Sequence, residues 1–135
     1  MIKKYIKKIR NRLIKENNID DLIKRGLIVG KNFSMQPGCI IDYSHCWLIE
    51  IGNNVTLAPR VHILAHDAST KLPLGYTKIG NVKIGDNVFI GANVTILPNV
   101  TIGNNVIIGA NSLVNNNIES NTVVCRKSNK NYIFL

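Results

Sequence analysis

Residues 84–103 read Ile-Gly-Asp-Asn-Val-Phe-Ile-Gly-Ala-Asn-Val-Thr-Ile-Leu-Pro-Asn-Val-Thr-Ile-Gly. Ile84, Ile90, Ile96 and Ile102 recur at intervals of six, and Ile108 and Val114 keep the beat. Val88, Val94, Val100, Val106 and Ile118 stand four residues after members of this series, with Ser112 in the remaining place. Gly follows the leading aliphatic at Gly85, Gly91, Gly103 and Gly109, and Asn or Asp crowds the next places, as in Asp86-Asn87 and Asn104-Asn105. Each hexapeptide is thus a short strand plus a corner, and Gly and Asn accept the backbone dihedrals that a sharp corner requires. One hexapeptide cannot bury its apolar face alone, whereas stacked coils bury a continuous aliphatic column. A solenoid follows.

Towards the N-terminus the register runs through Ile63, Leu57 and Ile51, with Val61 and Val55 as the second series, and Leu27, Phe33 and Cys39 extend the first. The 21 residues from Ile63 to Ile84 are not a multiple of six, so an excursion loop is expected at about 67–83, where Pro73, Gly75 and Tyr76 interrupt the pattern. Residues 1–26 read as a helical segment. Ile2, Tyr5, Ile6, Ile9 and Leu13 share one helical face against a lysine-rich remainder, and a second helix opens at Asp20-Asp21-Leu22 and ends at Gly26. Two roles fit this segment: a cap over the open end of the solenoid, or peripheral contact with a membrane surface. The expected organisation is therefore a cap over 1–26, a coil over 27–125 and a basic tail over 126–135.

Composition narrows the function. The 135 residues are 45% hydrophobic and 19% charged, which excludes disordered and collagenous chains. The formal charge of +9 is unevenly placed: residues 1–25 hold nine Lys/Arg against three Asp/Glu, and the tail adds Arg126, Lys127 and Lys130. Residues 26–125 hold five of each sign, so the body has no basic face and no nucleic-acid partner is expected. Cys39, Cys46 and Cys125 form no CxxC pair, which fits a reducing cytoplasm and no thiolate metal site. The expected location is cytoplasmic, with membrane association at the cytoplasmic face as the N-terminal helix's alternative.

The hexapeptide run resembles the hexapeptide-repeat acyltransferases. Within them the stretch His62-Ile-Leu-Ala-His-Asp-Ala-Ser-Thr70 is most similar to the maltose, galactoside and polysaccharide O-acetyltransferases. The resemblance implies an all-β fold, a left-handed parallel β-helix. It also implies acetyl-CoA as co-substrate, no metal, a saccharide acceptor of the kind used in surface polysaccharide synthesis, and a homotrimer with active sites between subunits. His66 falls at the catalytic position, where an imidazole titrating near neutrality can take a proton from a hydroxyl as that oxygen attacks a thioester. Asp42, His45 and Asp67 are the candidate acceptor contacts, each with a plainer alternative as a turn residue. Ala92 and Ala110 match backbone contacts to the pantetheine arm, and Asn115, Asn116 and Lys130 occupy further cofactor positions. Ser34 departs from the family pattern, as does the tail, where a Gly-x-Pro closure is lacking. Acetylation of a xenobiotic or an amino sugar is the second enzymatic reading, and a non-catalytic solenoid used for assembly is the third.

Overall fold

The computed structural model describes residues 1–6, 18–125 and 132–133. Three parallel sheets form the walls of a β-helix. The first sheet contains Ile28–Val29, Ile49–Ile51, Val82–Ile84 and Val100–Ile102, and Ile118 bridges to Ile102. The second contains Ser34–Met35, Val55–Leu57, Val88–Ile90, Val106–Ile108 and Thr122–Val124, closed by an antiparallel pairing with Tyr132–Ile133. The third contains Ile40–Ile41, His62–Ile63, Thr95–Ile96 and Leu113–Val114. Each wall repeats in the next coil, so Ile51 pairs with Ile84, Leu57 with Ile90 and Ile63 with Ile96.

Both hexapeptide series point inward. Ile84, Ile90, Ile96, Ile102 and Ile108 are buried together with Val88, Val94, Val100 and Val106, and each such side chain contributes roughly 1.5–3 kcal/mol of transfer free energy. Ser112 takes an inward place because its hydroxyl donates to the Gly109 carbonyl at 2.7 Å.

The corners divide the work differently from the sequence expectation. The left-handed backbone is carried by asparagine: Asn32, Asn54, Asn87, Asn105 and Asn121 all have φ between 55° and 60°. Their side chains form a ladder along one edge, amide to carbonyl, at 2.9–3.1 Å. The repeat glycines Gly85, Gly91, Gly103 and Gly109 do not have positive φ. They are required by proximity: a Cβ on Gly91 would lie 2.6 Å from the Ala110 nitrogen and 2.7 Å from the Ile108 carbonyl oxygen of the next coil.

The ladder also measures the coils. Successive asparagines are 22, 33, 18 and 16 residues apart, so only the third coil has the ideal length. The first insertion is the bulge 42–48, which contains the 3-10 turn Cys46–Leu48. It moves the first coil out of phase. Val29, Met35 and Ile41 align with Ile51, Leu57 and Ile63, whereas Leu27, Phe33 and Cys39 belong to the second series. The second insertion is the excursion, in which His66–Asp67 pairs antiparallel with Lys78–Ile79 around the short helix Lys71–Leu74. It ends earlier than the expected 83, because Val82 is already buried and paired with Ile49.

At the N-terminus, Asn18 caps the helix Ile19–Lys24 by accepting from the Asp20 nitrogen. Leu22 is fully buried and belongs to the same apolar cluster as the aliphatic column. Residues 2–6 are helical, and the remainder of the expected first helix lies outside the described residues.

Candidate active site

Asp42, the Leu64-Ala65-His66 segment and Asn115-Asn116 each follow a strand of the third sheet, so they share the edge where the third sheet turns into the first. The two insertions both leave the coil from this edge. Their start points bring Asp42 and His66 together across 24 residues.

Asp42 is only 4% exposed. Its Oδ1 accepts the backbone N–H groups of Ser44 at 3.0 Å and His45 at 3.1 Å, and its Oδ2 accepts the Ala65 N–H at 2.9 Å and the His66 Nδ1–H. Burial pushes this carboxyl upward, but the hydrogen bonds from His66, Ala65 and His45 outweigh it and hold the group below the usual carboxylate range. An ionised carboxylate only accepts, so Nδ1 of His66 carries the hydrogen, and in the neutral imidazole Nε2 is then the acceptor. The His66 side chain is 33% exposed, a rim position that a substrate can approach. Both oxygens of Asp42 are engaged by the protein itself. Its geometry is that of a residue orienting His66, where the sequence had suggested a contact to the acceptor.

His45 stacks beside this pair. Its ring centroid lies 4.9 Å from that of His66 and 5.1 Å from that of Trp47, and its buried Nδ1 has no hydrogen-bond partner. Asp67 accepts the Ser69 N–H at 2.9 Å, and hydrogen bonding with Ser69 holds its carboxyl below the ordinary range. It therefore closes a turn in the excursion. Ligand atoms of Asp42, His45 and His66 lie within 4.8 Å of one another, a set that could hold a divalent cation. The direct contact between Asp42 and His66 would have to open for a cation to enter between them.

The expected cofactor residues lie on two edges. Ala92 and Ala110 occupy adjacent coils where the second sheet turns into the third, and the Ala92 carbonyl accepts the Asn111 N–H at 2.8 Å. Asn115 and Asn116 are exposed on the His66 edge and bonded to each other at 3.1 Å. Within one chain the third sheet separates Ala92 and Ala110 from His66. Lys130, Arg126 and Lys127 lie outside the described residues. Trp47 escaped sequence reasoning, since nothing in a six-residue period marks a residue inside an insertion.

The three-walled coil and its Asn corners define a class, and residues 81–116 match the model of the bacterial transferase hexapeptide (six repeats). Among solved structures it is similar to a maltose O-acetyltransferase from Clostridium difficile 630, with 42% identity, a TM-score of 0.65, and coverage of 81% of this chain and 58% of that one. A hexapeptide-repeat acetyltransferase from Vibrio cholerae O1 biovar eltor, complexed with acetyl coenzyme A, matches at 24% identity and a TM-score of 0.68, over 82% of this chain and 60% of that one. An N-acyltransferase from Bacillus cereus shares the fold at 20% identity and a TM-score of 0.57, over 85% of this chain and 88% of that one. The chain thus spans under two thirds of the length of the first two structures. No curated protein matches the sequence. Among the described residues no helix is long and apolar enough to cross a membrane.

Proposed function

We propose that the protein is an acetyl-CoA-dependent O-acetyltransferase acting on a saccharide hydroxyl, with His66 as general base. The observation that carries this reading is the His66 Nδ1–H held by the buried Asp42 carboxylate, which leaves Nε2 as an oriented acceptor at an exposed rim. Nε2 takes the proton of the acceptor hydroxyl as its oxygen attacks the thioester carbonyl. A C–O bond forms, the C–S bond breaks on collapse, and the imidazolium returns the proton to the departing sulfur. Base assistance of this kind contributes on the order of a hundredfold to ten-thousandfold in rate. The likeness to the maltose enzyme supports the acetyl and saccharide classes.

The reading includes a homotrimer. His66 on one edge and Ala92 with Ala110 on another meet at one site only if a second copy brings its edge alongside, and closed cyclic symmetry satisfies such heterologous contacts. The reaction is metal-free in this scheme. The test is incubation of the purified protein with acetyl-CoA and a saccharide panel, followed by mass spectrometry of the products, with and without EDTA. Acetylated saccharide in both conditions is expected. Coenzyme binding without transfer to any saccharide would contradict the reading, and loss of transfer in EDTA would hand Asp42, His45 and His66 to a metal.

A further inference from the structure

The bulge 42–48 does more than carry Asp42. Cys46 is fully buried and its thiol donates to the Leu22 carbonyl at 3.6 Å, which ties the bulge to the helix Ile19–Lys24. Gly26, at φ 107°, gives the next residue its room: a Cβ there would come within 2.9 Å of the Trp47 Cβ. The base of Trp47 is thus fixed from two sides, yet the residue is 53% exposed. A rigid indole left in solvent costs hydrophobic free energy without a folding gain. It stands two ring contacts from the base, through His45, whose Nδ1 lies 4.0 Å from the Asp42 Oδ1.

We infer that Trp47 is a stacking platform for the acceptor, one that takes the apolar C–H face of a pyranose ring and turns a ring or neighbouring hydroxyl towards His66. This deepens the proposed acetyl transfer and rests on it for the role of His66. A pyranose suits the surface because it is amphipathic: one face offers C–H groups to an indole, and its rim offers hydroxyls to a base.

Trp47 is the only tryptophan in the chain, so its fluorescence reports this position directly. Maltose and methyl β-galactopyranoside, with sorbitol as an open-chain control, are titrated into the wild-type protein, and acetyl transfer to the same sugars is measured for wild type, Trp47→Ala and Trp47→Phe. A saturable change in emission with at least one pyranose and none with sorbitol is expected. Trp47→Ala should raise KM for that sugar about tenfold with kcat and acetyl-CoA affinity nearly unchanged, and Trp47→Phe should recover most of the loss. A pyranose-dependent emission change in a protein that transfers no acetyl group would uphold the platform and overturn the proposed reaction. Transfer with emission insensitive to every pyranose, or with KM unaltered in Trp47→Ala, would overturn the platform. So would loss of the oligomer in Trp47→Ala, which would make the indole an intersubunit contact.

Discussion

His66 and Asp42 are joined by a hydrogen bond, and each was legible to a different degree. His66 ends the last regular hexapeptide before the excursion, so counting alone brings it to the rim. Its partner stands 24 residues away across a bulge that no six-residue count can pass, so the sequence left Asp42 as a contact for the acceptor. The pairing has two consequences. Asp42→Asn keeps the shape but replaces an ionised acceptor, so the imidazole loses its fixed tautomer, and kcat should fall by at least about tenfold while acetyl-CoA affinity holds. The folded-state carboxyl is also held below its ordinary value. Stability from Asp42 is therefore present above the unfolded carboxylate pKa and is lost as pH falls through the folded one. Melting temperatures measured on acidification should drop less steeply for Asp42→Asn than for wild type. Identical slopes would mean that the carboxylate is not held as described.

The strands and corners show where periodic reasoning works. From Ile84 to Val114 every leading and second-series position is inward, as the beat requires, because the coil there is 18 residues long, whereas the next is 16 and moves Ile118 from the second series to a leading place beside Ile102. Before Ile51 the beat continued on paper into Leu27, Phe33 and Cys39. The 22-residue first coil shifts these to the other series. Burial could not expose the slip, since Leu27 and Cys39 are buried in either register. The corners separate two demands that composition merges: asparagine tolerates the left-handed backbone and bonds along the ladder, while glycine admits the neighbouring coil. Asn105 accepts from Asn87 at 3.1 Å and donates to Asn121 at 2.9 Å, with φ 56°. Asn105→Gly should cost about 0.5–1.5 kcal/mol for the broken ladder, and Asn105→Ala about 1–2 kcal/mol more for the left-handed backbone. Denaturant unfolding measures both, and equal losses would remove backbone strain from the account.

At the scale of the molecule, the outward face of the coil is not fully covered. Ile28, Ile40, Phe89, Ile107 and Leu113 are exposed on the strands, and Leu72, Leu74, Tyr76 and Ile79 are exposed on the excursion. Surfaces of this kind mark protein contacts, and the two-edge placement of His66 and Ala92 asks for a neighbour. Light scattering should give about three times the chain mass of 15.0 kDa, unchanged on moderate dilution. A monomer that turns over would contradict the shared site. The basic termini were readable from charge arithmetic, whereas what they touch was not, because charge placement names a class of partner and no geometry. The central claim rests on His66. The measurement that tests it most directly is the initial rate of CoA release from acetyl-CoA in the presence of a saccharide acceptor that the wild type acetylates, for wild type and for His66→Ala. The account predicts a loss of at least about a hundredfold with the fold and acetyl-CoA affinity preserved. A folded variant that keeps most of its rate would contradict it.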